Sequence, residues 1–566
     1  MPPPADDSTS RFALRGRLVT LDPDDTVIED GILYVSGRLI EAVRPATAKA
    51  PPGFEQIVPV ETGGTVCPGL IELHNHLPYD VLPLWQVPKK YGNRSQWGGS
   101  RNPAYHGLVT GPMTVLGQDP QLMPAVVRYV EAKALVNGTT TSQGIALFSN
   151  TGARRMYRGV IRNIEQTDDA DLPEASSRIA DVEATDAEQF VGRLNKSRRL
   201  LLHLAEGTDD DARAHFQALE FQPGKWAITE NLVGIHCTAL TASDFEILAR
   251  HGGSMVWSPL SNLLLYGRTA DIAAAKKAHV LMGLGSDWSV SGSKGLLGEL
   301  KAARLASAAA GNVFTDQELV AMATRDAARI LRWDQALGSL RPGLRADVLV
   351  VDGIAGDPYT TLIDTRDTGV QLVMIDGVAR YGTRKLLQLL APGAPLEEPV
   401  SGAPADRALN LRDPSADPVV AGLTLAEATR RLSTALADLP LLASRADRAP
   451  LTEAPLAEAP LMEVPDTGVP DAEAPDTEVR WQLALDEFLP TGAELRPRLP
   501  LLTAAGPPQP TGPDIGPAPP RLAEAVQAPV TLDGLTASAD IAFLTALAHE
   551  ANLPADYGAE LSRLLS

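Results

Sequence analysis

The sequence predicts an α/β protein whose central region is a (β/α)8 barrel. Short β-rich runs alternate with helical patterns over roughly 270 residues, close to the typical barrel length of about 250 residues. Strand-rich segments with alternating apolar residues lie on both sides of this region, at about residues 11–66 and 338–383. These two flanking segments could form one sheet domain.

Length and charge limit the classes of protein to consider. At 566 residues the chain is expected to hold more than one domain, because single cores rarely grow past about 250 to 300 residues. The formal charge of −20 opposes binding to nucleic acid or to an anionic membrane. We therefore expect a small-molecule substrate, and the sequence leaves a homo-oligomer open.

Cysteine content and apolar run lengths bear on the compartment. The two cysteines, Cys67 and Cys237, each lie in an apolar stretch and offer no disulfide framework, which indicates a reducing compartment. The amino terminus has neither a basic nor an apolar signal region, and no run of about 18 apolar residues occurs. We expect a cytoplasmic protein.

The central region supplies the strands and helices of the predicted barrel. Its helical patterns include PQLMPAVVRYVEAKALVNG and TASDFEILARHG. Its β-rich runs are VCPGLIELHNH, GTTTSQGIA, SRRLLLHLAE, NLVGIHCTAL, GGSMVWSP and HVLMGLGSD. Polar residues that end such runs should lie at the carboxyl-end rim, where barrel enzymes hold their active sites.

The composition changes beyond about Leu390. A spacer at 446–479 has a proline at every fifth position from Pro450 to Pro475. Proline at this density forbids a regular helix or central strand, so we expect an extended, solvated segment. Amphipathic patterns on either side predict helices that dock on the core. They are the residues Leu425, Ala428, Leu432, Leu436 and Leu439, behind Thr424 and Glu427, and a last helix near 541–550.

Side chains able to bind a metal or move a proton end four of the β-rich runs. A single strand-end histidine is more often structural, and the pair His74 and His76 alone is a weak signal. Two or three neutral imidazoles with a carboxylate describe a catalytic divalent site better than a closed structural one. The set comprises His74, His76, His203, Glu206, His236 and Asp287.

The order of these motifs resembles the amidohydrolase superfamily. HNH after PGLIEL is followed by HLAE, GIHC, WSPLSN and GSDWSVS, and then by ATRDAARILRWDQALGSLRPGLRADVLVVDG. The resemblance is to the branch of cytosine deaminase, S-adenosylhomocysteine (methylthioadenosine) deaminase and triazine hydrolase. It implies a distorted (β/α)8 TIM barrel at 67–334, a composite β-sandwich at 1–66 and 335–390, and a C-terminal extension at 391–566.

The same resemblance implies roles for the strand-end residues. One divalent metal, Zn²⁺ first and Fe²⁺ as the alternative, would be bound by His74, His76, His203 and Asp287. Glu206 and His236 would handle protons beside it, and Asp287 would also orient the attacking hydroxide. Binuclear members of the superfamily use a bridging lysine on a middle strand. The run TTTSQGIALFSN contains no lysine, which favours a single metal.

Hydrolytic deamination of an aminated heterocycle or nucleoside-like compound is the leading hypothesis for the function. The alternative on the same scaffold is hydrolysis of a cyclic amide, or displacement of another leaving group such as chloride. The alternative of another class is a catalytically inactive barrel that acts as a binding scaffold. Departures from the branch in WSPLSN and at Ser291-Gly292 leave the substrate open. The zinc deaminases with C-x-x-C are excluded, because no such motif occurs.

The connection at 77–119 is far longer than the usual βα loop of about two to six residues, which marks a lid or binding loop. It is rich in aromatic residues, and two further tryptophans flank other strand ends. These rings would either stack on a flat heterocycle or pack the lid onto the barrel. They are Tyr79, Trp85, Tyr91, Trp97, Trp257 and Trp288.

Overall fold

A computed structural model of the chain describes most of its length. The described residues are 10–98, 102–150, 153–179, 182, 186–195, 199–399, 403–420, 422–447, 479–485 and 521–566. The proline-rich spacer predicted at 446–479 falls outside them except at its two ends.

Two parallel sheets follow one another through the central region. The first contains Leu70–Ile71, Thr139–Ser142 and Arg162–Asn163, and the second contains Ser176–Arg178, Leu200–Leu204, Leu232–His236, Ser254–Trp257 and Met282–Leu284. Backbone hydrogen bonds link the sheets, among them those from Ala175 N to Ile164 O at 2.8 Å and from Leu73 N to Leu284 O at 3.2 Å. These strands occur in chain order, and helices follow Leu70–Ile71 and each strand from Ser176–Arg178 onward, as in (β/α)8 barrels. Over the described residues between Ser142 and Ser176 the connections contain no helix.

Helices follow most of these strands and continue into the extension. The α-helices are Pro103–Tyr105, Gly111–Gln118, Met123–Val136, Ala187–Leu194, Asp210–Gln217, Ala242–Arg250, Pro259–Tyr266, Ile272–Lys277, Leu296–Ala309, Asp316–Met322, Arg325–Leu331, Pro358–Asp364, Arg384–Leu390, Leu425–Ala437, Leu439–Ala446, Leu522–Ala525, Ile541–Ala548 and Tyr557–Leu565. Short 3-10 turns cover Leu77–Val81, Arg94–Gln96, Asp367–Gly369 and Pro418–Val420, and a π turn covers His106–Thr110. Across the described ranges, no helix is long and apolar enough to cross a membrane.

The two flanks join in one eight-stranded sheet. In spatial order its strands are Arg407–Leu409, Val378–Thr383, Val370–Ile375, Val348–Asp352, Val60–Pro68, Arg11–Val19, Val27–Ser36 and Leu39–Pro45. The flanks meet where Val66 pairs with Val350 in an antiparallel register. Adjacent residues Ala13 and Leu14 belong to different apolar clusters, because strand side chains alternate between faces. Arg407–Leu409 comes from beyond residue 390, so the extension also contributes to this sheet.

Short antiparallel sheets complete the strands. Glu220–Gln222 pairs with Lys225–Trp226, and Ala146–Ser149 lies between Arg154–Met156 and Trp481–Leu483. The last pairing places a strand of the C-terminal extension against the central region.

The helices predicted in the extension are present and dock on the core. Leu425–Ala437 begins after Thr424, whose side chain accepts a hydrogen bond from Glu427 N, and its apolar face packs against Met123–Val136. The last predicted helix is observed at Ile541–Ala548. Residues 521–566 are tied to the barrel by Asp533, which is buried and paired with Lys133 and Lys294.

Candidate metal centre

The six predicted residues lie together at the carboxyl ends of the parallel strands. His74 and His76 follow Leu70–Ile71, whereas His203 and His236 lie in the last two positions of their strands. The ring centroid of His74 is 4.9 Å from that of His76, 4.7 Å from that of His203 and 5.2 Å from that of His236. Asp287 follows Met282–Leu284 and completes the group.

Two overlapping groups of side chains could hold a metal ion. The candidate ligand atoms of His74, His76 and Asp287 lie within 4.8 Å of one another, as do those of His74, His203 and His236. His74 Nε2 is common to both groups. It is buried without a hydrogen-bond partner, although Asp287 Oδ1 is 3.0 Å away. A buried nitrogen in this state fits a divalent cation between the side chains.

The charge states suit a cation. Burial lowers the pKa of His203 well below its ordinary value, and the neighbouring imidazoles of His74 and His236 lower it further. Burial also lowers the pKa of His236. Burial alone would raise the pKa of Asp287, but the imidazoles of His74, His236 and His76 hold it well below its usual range. Neutral imidazoles with an ionised carboxylate are the forms that bind metals.

Hydrogen bonds at Nδ1 orient two of the imidazoles as ligands. His74 Nδ1 lies 3.0 Å from Gln143 Oε1, which also accepts from Asn75 N. His203 Nδ1 lies 3.3 Å from the carbonyl oxygen of Arg178. Both oxygens only accept, so the proton of each ring lies on Nδ1 and the Nε2 lone pair faces the centre.

His236 has the opposite arrangement. Trp257 Nε1 donates to Thr269 Oγ1 at 2.6 Å, and Thr269 Oγ1 donates to Asn262 Oδ1 at 3.4 Å. Asn262 Nδ2 then lies 3.0 Å from His236 Nδ1 and donates to it. Because an indole N–H can only donate, the chain runs in one direction and leaves the His236 proton on Nε2. His236 therefore presents a donor to the site, although distance alone would admit it as a ligand.

Glu206 lies beside this donor. Its Oε2 is 3.8 Å from His236 Nε2 and 3.5 Å from Arg94 Nη1. Its Oε1 accepts a hydrogen bond from the Tyr266 hydroxyl at 2.7 Å. Glu206 can thus exchange a proton near the imidazole N–H while one of its oxygens is held.

Asp287 is held by a hydroxyl of helix Pro259–Tyr266. Ser261 Oγ donates to Asp287 Oδ2 at 2.5 Å, which leaves Oδ1 towards His74 and His76. Ser261 also lies 3.2 Å from Ser291 Oγ, to which Trp288 Nε1 donates at 2.6 Å. This carboxylate is therefore supported on the side away from the imidazoles.

Several residues at these strand ends have a strained backbone. Ala205, His236, Cys237 and Asp287 have φ angles of 51°, 68°, 53° and 68°, in the left-handed region that side chains rarely adopt. Strained residues of this kind cluster at functional sites, where the surrounding packing holds them in place. The strain aims His236 and Asp287 into the centre.

Four residues of the site are absent from the predicted set: Gln143, Asn262, Tyr266 and Arg94. Asn262 and Gln143 lie in the runs WSPLSN and TTTSQGIALFSN, so the sequence is sufficient to predict that both lie near the rim. Tyr266 and Arg94 carry no sequence signal, because their role depends on a contact between the lid and a distant helix.

The lid aromatics pack on one another and on the barrel. Trp85, Trp97 and Trp288 are buried, with 4%, 6% and 4% of their surface exposed. Trp97 and Trp288 have ring centroids 6.2 Å apart, and the Trp288 centroid is 5.3 Å from that of His76. Trp257 is fully buried. Of the two readings, packing of the lid is the one that this burial favours.

Comparison with known proteins finds a family model and relatives that resemble this chain. The model of the amidohydrolase family matches residues 198–380, which include His203, Glu206, His236 and Asp287. The resemblance to the amidohydrolase superfamily is confirmed. This amidohydrolase-like chain is 24% identical over 396 residues to the 5-methylthioadenosine/S-adenosylhomocysteine deaminase of Symbiobacterium thermophilum. That match covers 61% of this chain and 85% of the relative.

Solved enzyme structures share the architecture. An adenosine deaminase from Xanthomonas campestris with bound zinc aligns with a TM-score of 0.53 at 18% identity, over 75% of this chain and 98% of that chain. A triazine hydrolase variant aligns with a TM-score of 0.51 at 21% identity, over 65% of this chain and 94% of that chain. These likenesses establish an α/β fold of the TIM-barrel type.

Proposed function

We propose that this protein is a mononuclear metal-dependent hydrolase that deaminates an aminated heterocycle or a nucleoside-like compound. The observation that carries the proposal is the division among the imidazoles. His74 and His203 present Nε2 lone pairs, whereas His236 presents an N–H, so the site separates metal binding from hydrogen-bond donation. The deaminase names of its relatives favour an amine as the leaving group.

We assign His74, His76, His203 and Asp287 as the ligands of one divalent ion, with Zn²⁺ as the first candidate and Fe²⁺ as the alternative. The zinc in the similar adenosine deaminase supports this choice. When bound, such an ion lowers the pKa of a water molecule so that hydroxide is available near neutral pH. The ligands belong to the barrel at 67–334, between the proposed β-sandwich at 1–66 and 335–390 and the extension at 391–566.

The remaining residues handle protons and charge. Glu206 accepts a proton from the attacking water and delivers it to the ring nitrogen next to the attacked carbon. His236 Nε2–H stabilises the negative charge that develops on the attacked centre. A carbon–oxygen bond forms first. The second proton of that water then passes through Glu206 to the exocyclic amine, the carbon–nitrogen bond breaks, and ammonia leaves while the attacked carbon becomes a carbonyl.

Metal analysis tests the ligand assignment. The purified protein should hold about one zinc or iron per chain, and His74→Ala and Asp287→Ala should lose it, because each removes a ligand. His549→Ala is the matched control, since this histidine is exposed and its Nδ1 contacts only the carbonyl of Thr545 among the described hydrogen bonds. Two tightly bound metals per chain would contradict the mononuclear assignment.

A screen of purines, pyrimidines, pterins and nucleosides for ammonia release tests the reaction. The compounds that give the relatives their names, 5-methylthioadenosine and S-adenosylhomocysteine, come first. Glu206→Gln should keep the metal but lower kcat at least about 100-fold, because the amide cannot carry the proton. A lactam or halogenated ring that is turned over while no amine is released would replace deamination with the alternative. Metal-free protein without turnover would favour the binding scaffold.

A further inference from the structure

We propose that Tyr266 is a positioning residue for Glu206 and that the lid residue Trp97 holds Tyr266 in that role. The inference rests on the proposed proton transfer by Glu206. It adds a link between the lid and the proton-handling carboxylate, and this link depends on side chains outside the motifs of the metal centre.

The contacts form a chain with a fixed direction. Trp97 Nε1 donates to the Tyr266 hydroxyl oxygen at 2.9 Å, and Tyr266 donates to Glu206 Oε1 at 2.7 Å. An indole N–H has no acceptor function, so the Tyr266 proton is left for the carboxylate. Burial and the charge of Glu206 raise the pKa of Tyr266 well above its ordinary value, so the hydroxyl keeps this proton.

These hydrogen bonds determine which carboxylate oxygen of Glu206 faces the substrate. Hydrogen bonds from a hydroxyl to an ionised carboxylate are among the stronger ones in proteins, and this one is buried. With Oε1 held by Tyr266, Oε2 is left towards His236 Nε2 and Arg94. Without the hydroxyl, the carboxylate can rotate about its terminal bond, and the proton that it transfers is no longer aligned with the substrate.

The lid is attached to the same segment by its backbone. Arg94 N donates to Glu206 O at 3.3 Å, and Thr208 N donates to Gly92 O at 2.6 Å. Asn93 also forms an isolated antiparallel bridge with Gly207. Lid residues 92–97 therefore approach Glu206 from two directions, through this backbone and through Trp97 and Tyr266. The position of the lid therefore determines the position of Glu206.

The test removes single donors from metal-replete, full-length protein. Tyr266→Phe keeps the packed ring and removes only the hydroxyl. We expect kcat to fall roughly 10- to 100-fold, with KM within about threefold and with metal content and melting temperature unchanged. Trp97→Phe removes the indole N–H, and we expect a fall in kcat of roughly 3- to 10-fold, the scale of one hydrogen bond.

Tyr557→Phe is the matched control. Tyr557 is also buried, and its hydroxyl donates to Ala302 O at 2.7 Å, away from the metal centre. This variant should show the kcat of the wild type. An equal fall in Tyr557→Phe, or a Tyr266→Phe protein with unchanged kcat or with only KM raised, would overturn the positioning role.

A double variant separates this inference from the proposed function. Once Glu206→Gln has removed the carboxylate, Tyr266→Phe should cause no further loss, because its effect runs through Glu206. Additive losses would overturn the inference while the role of Glu206 stands. Wild-type turnover by Glu206→Gln would remove both roles.

Independently of activity, a crystal structure of Tyr266→Phe should show Glu206 in more than one orientation, and an unchanged Glu206 would contradict the proposal.

Discussion

The side chain of Asn262 distinguishes His236 from the two imidazoles that present lone pairs. His74 and His203 each bond an oxygen through Nδ1, whereas His236 Nδ1 faces the Asn262 amide nitrogen. The three rings are otherwise alike in burial, and their candidate ligand atoms lie within 4.8 Å of one another. One amide group thus determines whether a histidine serves as a donor or as a ligand.

Asn262→Asp should move the proton of the His236 ring from Nε2 to Nδ1. A carboxylate beside Nδ1 accepts the ring proton there, which removes the donor from Nε2. We expect kcat to fall about 100-fold, the usual cost of losing one such donor, with the metal retained. Steady-state kinetics with metal analysis checks this. The control is Asn231→Asp, a buried asparagine whose amide donates to Leu194 O away from the site. Wild-type kcat in Asn262→Asp would show that the tautomer does not matter.

At this scale the sequence predicts the ends of strands better than the contacts between side chains. His74, His76, His203 and Asp287 could be placed at one rim because strand periodicity and βα order fix where each strand ends. The role of Tyr266 could not be predicted, since its partner is 60 positions away in sequence and the geometry of the lid decides the contact.

Helix Leu296–Ala309 carries a buried acid behind the centre. Glu299 Oε1 accepts from Leu260 N at 3.0 Å, at the start of helix Pro259–Tyr266, and Ser293 Oγ donates to Oε2. Burial raises the pKa of Glu299 to about 8. The folded protein therefore keeps a proton on Glu299 at neutral pH, while the unfolded chain releases it near the ordinary value of about 4.5.

Glu299→Gln should flatten the dependence of stability on pH. Because the folded pKa is raised, the contribution of Glu299 is complete below about pH 4.5 and is lost as pH rises to about 8. Between pH 6 and pH 8 the wild type should lose about 1.4 kcal/mol of unfolding free energy per pH unit relative to the variant. Urea denaturation at both values measures the difference. Parallel curves would show that Glu299 is ionised in the folded protein.

The lid shows where sequence patterns cannot choose between two roles. Its length predicts a separate functional loop, and its aromatic content suits either a ligand or a packing surface. Trp85 packs against Tyr105, and Trp97 packs against both Tyr105 and Trp288. Sequence spacing does not specify these contacts, which bury the two rings. Likewise, alternating apolar residues predict strands in both flanks, whereas the edge strand Arg407–Leu409 lies in a segment with a weak strand pattern.

Across the whole molecule, Asp533 joins the extension to the barrel. Lys133 of helix Met123–Val136 and Lys294 both bind its carboxylate, and all three side chains are 1% exposed. Tyr129 also donates to the Asp533 carbonyl. Each lysine carries a charge that burial would otherwise make costly, so the extension supplies the compensating carboxylate.

Asp533→Ala should destabilise the fold severely. It removes the ion-pair partner of the buried Lys133, and of the described ion pairs of Lys294 only the one with Asp540 at 2.9 Å remains. We expect a loss of about 3 to 5 kcal/mol in unfolding free energy, the usual cost of breaking a buried ion pair. Glu524→Ala, an exposed acid of the same segment, should stay within about 0.5 kcal/mol. Equal stability of the two variants in urea would contradict the role of Asp533.

The pairing of Asp533 with two barrel lysines also orders events during synthesis. The ribosome makes both lysines before residue 533, so they emerge without the carboxylate that pairs with them in the folded protein. Domains usually fold as they leave the ribosome, amino-terminal part first. Here Lys133 and Lys294 obtain their shared ion-pair partner only after residue 533 has left the ribosome.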